Sequence, residues 1–271
     1  TLILTLFPYT TLFRSPEFCV SLISALKGTS DLAVGNIVGS NIFNTLLIVG
    51  VSALVAPMSI MKTTVRKDIP FALVASALLL IMCLDEDISR IDAAILFVMF
   101  LIFMYITLRG AKAQGTDLEE KEKKPMATWL SVVWILVGLA CLIGGSNLFV
   151  DGATAVATKL GVSEAVIGLT IVAGGTSLPE LATSVVSARK GNSGIAIGNV
   201  LGSNVFNILA ILGLTGVISP MTLKGITMTD LSMMVISIIL IWLFSFTKYK
   251  IERWEGAILT AVFVGYIYSL L

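Results

Sequence analysis

Along this chain, long apolar runs alternate with short polar ones. The first run, residues 16–27, is about half the length of the rest, and Gly28 to Ser30 make a turn after it. Longer runs follow at 32–55, 69–84, 93–108, 128–150, 163–188, 195–218, 228–247 and 254–271. Each approaches the roughly 20 apolar residues that cross a bilayer as a helix. The pattern therefore predicts one partial and eight full spans. Met61–Asp68 reads as a polar loop and 85–92 as an acidic one. Residues 109–127 hold the one long charged stretch and read as a linker between two halves, 16–108 and 128–271.

The two halves share a repeat. At a single offset of 163, Pro16-Glu17 falls on Pro179-Glu180, Gly28 on Gly191 and Gly35-Asn36 on Gly198-Asn199. Gly39-Ser40-Asn41 falls on Gly202-Ser203-Asn204, Phe43-Asn44 on Phe206-Asn207 and Pro57-Met58 on Pro220-Met221. About half the positions from Glu17 to Met58 are identical to their counterparts. The copies span 16–58 and 168–221, and polar residues stay in register, so the match is not an accident of apolar composition.

Composition narrows the class. Of 271 residues, 56% are hydrophobic and 13% charged, against about 25% charged in a soluble domain. The chain is expected to be an all-α integral membrane protein, with the lipid bilayer as its surroundings. No basic face is present for nucleic acid, and no obligatory protein partner is evident. There is no His, which removes His-based zinc sites and Ser-His-Asp or Cys-His catalysis. Cys19, Cys83 and Cys141 stand alone and read as small apolar residues. GNVLGSN lacks the GK[ST] of a phosphate loop and lies inside a span. The chain is thus not expected to be an enzyme or to hold a cofactor.

Lys and Arg set the orientation. Taking loops alternately, one set holds Lys62, Arg66, Lys67, Arg109, Lys112, Lys121, Lys123, Lys124, Arg189, Lys190, Lys248, Lys250 and Arg253; the other holds Lys27, Arg90, Lys159 and Lys224. The positive-inside rule makes the richer set cytoplasmic. The linker is then cytoplasmic and the C-terminus outside. Glu180 lies five spans after Glu17, an odd number, so the copies cross in opposite senses. That is the inverted repeat of secondary transporters, whose sites form at interrupted helices.

The chemistry sits at the interruptions. Gly174-Gly175 and Pro179 break an apolar run, which should free carbonyls near Ala173 and Gly174 for a partner other than lipid. Thr176 and Ser177 add hydroxyls, and Glu180 adds charge. Hard cations such as Na⁺ and Ca²⁺ take such all-oxygen shells. The plainer reading is a proline kink whose hydroxyls serve the backbone. The companion helix weighs against it, because Asn199, Ser203 and Asn207 form a stripe at i, i+4, i+8, repeated by Asn36, Ser40 and Asn44. Interhelical packing is the preferred role for Asn36 and Asn199. Gly35/Gly39 and Gly198/Gly202 have the GxxxG spacing that lets helices approach closely.

GGTSLPE followed by GNVLGSNVFN, with PE followed by GNIVGSNIFN, resembles the α-repeats of the sodium/calcium exchanger family. The resemblance runs from Pro16 onward. It implies two inverted halves of five helices, of which the first helix and part of the second are missing here. It also implies Ca²⁺ and Na⁺ bound as transported ions, and sliding of the first helix of each half over the core. By motif, Glu17 and Glu180 would be the acidic ligands, Ser40 and Ser203 would supply hydroxyls, and Asn44 and Asn207 amide oxygens. Thr176, Ser177 and the Ala173 carbonyl would complete one flank. The matching flank would fall on Phe13 and Arg14, which do not fit it, so residues 1–15 are read as a non-native N-terminus that could leave this chain inactive. Asn207 also departs from members with Asp there, which leaves two formal charges. The implied function is Ca²⁺/Na⁺ antiport in a prokaryotic inner membrane. A Ca²⁺/H⁺ or other cation/H⁺ antiporter, a passive cation channel and a non-functional fragment remain the alternatives.

Overall fold

The computed structural model describes residues 15–113, 137, 144–145, 148–156 and 158–270. The expectations placed on Phe13 and Arg14, on most of the 109–127 linker and on nearly all of the 128–150 span lie outside these residues. In chain order the helices are α1 (Ser15–Leu26) and α2, which runs over Ser30–Ile42, a π-helical stretch Phe43–Ile48 and Val49–Val55. Then come α3 (Thr64–Asp85), α4 (Arg90–Ala113), α5 (Glu164–Thr176) and α6 (Leu178–Arg189). Helix α7 runs over Ser193–Val205, a π-helical stretch Phe206–Leu212 and Gly213–Ile218, and α8 (Met228–Ser245) and α9 (Arg253–Leu270) follow. Among the described residues, five helices are long and apolar enough to cross a membrane, or six when the pair α5 and α6, bent by 49°, is counted as one broken span. The chain is an integral membrane protein built of helices.

Two boundaries differ from the sequence pattern. Most of the loop expected over Met61–Asp68 is helix, because α3 already begins at Thr64. Thr64 and Val65 are buried there, and the Trp242 indole N–H donates to the Val65 carbonyl at 3.1 Å. Burying that turn outweighs its polar neighbours. Helix α4 continues five residues into the expected linker, to Ala113. Lys112 and the flanking Ala residues are good helix formers, and the Arg109 guanidinium reaches the Tyr105 hydroxyl one turn back, at 3.5 Å.

The two copies fold alike. Ser30–Ile42 and Ser193–Val205 are the same helix at the repeat offset, and both enter a π-helical stretch at the repeated Phe, Phe43 and Phe206. Gly28 and Gly191, at φ 79° and 76°, make the same left-handed turn that only glycine adopts freely. The short strands pair between the two halves. β1 (Met58–Ser59) pairs antiparallel with β4 (Lys250–Ile251), and β2 (Asp87–Ile88) with β3 (Met221–Thr222).

These ribbons fix direction. Asp31, in the first turn of α2, accepts the backbone N–H groups of Lys224 and Gly225, just beyond the end of α7. The start of α7 packs on β1, which follows the end of α2. Helices α2 and α7 therefore run in opposite senses through the middle of the molecule. Their apolar windows are each 78% buried, against 11% for the window of α4, which faces outward.

Candidate cation site

The α5–α6 break is built from local chemistry. Pro179 has no N–H, so the carbonyl one turn back, that of Gly175, loses its helical donor. The expected freeing of the Ala173 carbonyl does not occur. It accepts the Ser177 N–H at 3.1 Å and lies 3.2 Å from the Thr176 hydroxyl, so the helix holds for one more residue before it bends. Thr176 and Ser177 are both buried at the bend.

Helix α2 crosses this bend at close range. A Cβ on Gly35 would fall 3.1 Å from the Ala165 carbonyl oxygen, and one on Gly39 only 2.5 Å from that of Leu169. Small residues are thus required there, as the GxxxG spacing implies for Gly35 and Gly39. The approach brings Ser40 Oγ to 3.5 Å from Thr176 Oγ1. Asn36 is the packing residue it was expected to be. Its amide nitrogen donates to Ser21 Oγ at 2.9 Å and to the Glu17 carbonyl at 3.3 Å, and its Oδ1 accepts from Thr176 Oγ1 at 3.1 Å. One side chain thereby joins α1, α2 and α5.

At the start of the two π-helical stretches the copies interlock. Asn44 Nδ2 donates to Asn204 Oδ1, and Asn207 Nδ2 donates to Asn41 Oδ1, both at 3.1 Å. Asn41 Nδ2 also reaches the Asn204 carbonyl at 3.3 Å, and Asn204 Nδ2 the Asn41 carbonyl at 3.5 Å. The sequence stripes contained Asn44 and Asn207 but passed over Asn41 and Asn204. Each sits one residue after the stripe's Ser and so on another face of its helix. Their signal was the repeat itself, where GSN recurs in register.

The acidic residues complete the arrangement. Glu17 is 2% exposed and Glu180 3%. Helix α1, which carries Glu17, packs on the π-helical stretch that holds Asn207; α6, which carries Glu180, packs on the one that holds Asn44. Each carboxylate-bearing helix thus meets the other copy's asparagine-bearing stretch. Ser177 Oγ, Ser203 Oγ, Asn44 Oδ1 and Asn207 Oδ1 are among the side-chain oxygens that are buried with no hydrogen-bond partner among the described residues, as are those of Ser24, Ser52, Ser76, Ser184 and Thr215 elsewhere. A buried polar atom left so is costly, and four of them belong to the residues singled out by motif. Among the described residues no group of three or more His, Cys, Asp or Glu comes together. The donors on offer are neutral oxygens and two carboxylates, a set suited to Na⁺ or Ca²⁺ rather than to a softer metal.

Comparison with known proteins agrees. The family model for sodium/calcium exchanger proteins matches residues 4–109 and 130–271. Inner membrane protein YrbG of Escherichia coli is 37% identical over 265 residues, covering 94% of this chain and 82% of its own. Sodium/calcium exchanger MaX1 of Methanosarcina acetivorans is 31% identical over 296 residues, covering 94% and 84%. A solved structure of the sodium-calcium exchanger NCX_Mj, soaked with Na⁺ and Sr²⁺, superposes with a TM-score of 0.73 at 28% identity over 100% of this chain and 87% of that one. This chain, a helical membrane transporter and not an enzyme, belongs to the sodium/calcium exchanger family.

Proposed function

We propose that the protein is a secondary active antiporter that exchanges Ca²⁺ for Na⁺ by alternating access. The observation that carries this reading is the set of four unpartnered buried oxygens, on the stretches to which the helices of Glu17 and Glu180 belong or pack. Glu17, Ser40, Asn44, Ala173, Thr176, Ser177, Glu180, Ser203 and Asn207 form the ion-binding set, with the Ala173 carbonyl contributing through its second lone pair. Two carboxylates balance one Ca²⁺ or two Na⁺. Empty, they place two negative charges inside a low-dielectric interior, where repulsion is strong. Loading with cations removes that barrier, so the protein changes its facing when occupied. This coupling makes exchange rather than leak.

The opposite senses of α2 and α7 support an inverted repeat, with the strand ribbons at its two ends. The protein sits in the prokaryotic inner membrane, with the linker cytoplasmic and the C-terminus outside.

The test is reconstitution. Vesicles loaded with Na⁺ and diluted into Na⁺-free buffer should take up Ca²⁺, and Glu180→Gln should reduce uptake to background. Uptake that survives Glu180→Gln would overturn the site. Uptake driven by a pH gradient in the absence of Na⁺ would replace Na⁺ by H⁺ as the coupling ion. Single-channel currents would mark a passive pore.

A further inference from the structure

We infer that Asn41 and Asn204 are positioning residues, each of which orients the opposite copy's asparagine so that its oxygen, not its NH₂ group, is presented to the ion. This rests on the reading of Asn44 and Asn207 as ion ligands. An asparagine side chain is ambiguous, since one end accepts and the other donates. A cation needs the accepting end. Asn44 has its nitrogen engaged by Asn204 Oδ1, and Asn207 has its nitrogen engaged by Asn41 Oδ1. In both, the oxygen is the atom left buried with no hydrogen-bond partner among the described residues. Turning either amide over would break its bond and aim two N–H donors at the ion.

The orienting residues are themselves held. Asn204 Nδ2 donates to Thr45 Oγ1 at 2.7 Å, and that hydroxyl donates in turn to the Asn41 carbonyl at 2.6 Å. With its nitrogen so placed, Asn204 can offer only Oδ1 to Asn44. Asn41 Nδ2 is held by the Asn204 carbonyl and by Met234 Sδ at 3.7 Å, a softer clamp. Apart from the Met234 contact, every link that orients an amide crosses between copies, so the same bonds that lock the polarity of the ligands also tie the antiparallel helices α2 and α7 together. All four asparagines are buried, so water does not compete for them.

A double-mutant cycle separates orientation from mere packing. A carboxylate has two oxygens and no donor, so it needs no orienting partner. Asn204→Leu should therefore weaken Ca²⁺ binding about 10-fold or more in the otherwise native chain, a coupling within the range seen for touching residues. In the Asn44→Asp background the same change should cost about 2-fold or less, because Asn204 Oδ1 would there face a like-charged oxygen. Asn207→Asp should not rescue Asn204→Leu, since the pairing is crosswise. The mirror cycle, Asn41→Leu with Asn207→Asp, supplies an independent set should the first variant fail to fold. The readout is equilibrium ⁴⁵Ca²⁺ binding to purified protein in detergent, with size-exclusion profiles to check folding. Equal losses of affinity in both backgrounds, or rescue of Asn204→Leu by Asn207→Asp, would overturn the inference. Because binding needs no coupling ion, a cycle that behaves as expected while Na⁺-loaded vesicles take up no Ca²⁺ would sink the exchange reading and leave this one standing. A native chain that binds no Ca²⁺ would overturn both.

Discussion

Asn36 shows how one buried amide can organise a polar centre without binding anything transported. It satisfies Ser21, the Glu17 carbonyl and Thr176 at once. By accepting the hydrogen bond of the Thr176 hydroxyl, it leaves that hydroxyl's oxygen turned toward Ser40. Asn36→Leu removes three buried hydrogen bonds, each worth about 0.5–1.5 kcal/mol net, although Ser21 keeps the Ala33 carbonyl and Thr176 the Ala173 carbonyl as acceptors. We expect a clear fall in the thermal midpoint of the detergent-solubilised protein, read from size-exclusion peak height after heating. An unchanged midpoint would show that the network contributes nothing. The role of Asn36 was legible because a polar residue in lipid must find partners. That of Asn41 and Asn204 was not, because a helical stripe ranks residues by one face and these two answer to a helix far away in sequence. The Ala173 carbonyl misled for a related reason. Proline strips the donor from the carbonyl four residues back, that of Gly175, and the helix holds the Ala173 carbonyl up to the bend.

At the scale of elements, α2 crosses α5 at close range. Gly39 has no room for a methyl group, whereas Gly194, in the first turn of α7, faces open space. Gly39→Ala should destabilise by roughly 1–3 kcal/mol through forced separation of the helices. Gly194→Ala should be neutral or stabilising by up to about 1 kcal/mol, since Ala is the better helix former. Comparing the two thermal midpoints decides the matter, and a Gly39→Ala protein as stable as the Gly194→Ala one would refute the tight crossing. The helices were readable from apolar run length to within a few residues, as with Ser193–Val205 and Met228–Ser245. The errors came where tertiary burial overrode polarity, as at Thr64 and Val65. The π-helical stretches left no mark in composition. Those of α2 and α7 widen the helix where Asn44 and Asn207 reach across, and π-helical turns recur at functional sites; two more lie in α3 and α5.

For the molecule as a whole, the ribbons sort the loops by side. Lys62 follows and Lys250 lies in the β1–β4 ribbon, while Arg90 and Lys224 flank the β2–β3 ribbon. That sorting matches the alternate loop sets drawn from Lys and Arg positions alone, so the ends of the fold were visible before its interior was. In a variant lacking Cys19, Cys83 and Cys141, a cysteine placed by Lys250→Cys should react with a membrane-impermeant thiol reagent only from the cytoplasmic side. One placed by Lys224→Cys should react only from outside. Labelling of both from the same side would overturn the topology. The crossed ribbons carry one more consequence, for biosynthesis. Met58 is joined to Ile251, about 190 residues further on. At typical rates of synthesis the ribosome needs on the order of 10–40 s to make that stretch. For that interval the newly inserted amino-terminal half must wait in the bilayer with its strand edges uncovered, which makes it the stage of assembly most exposed to quality control.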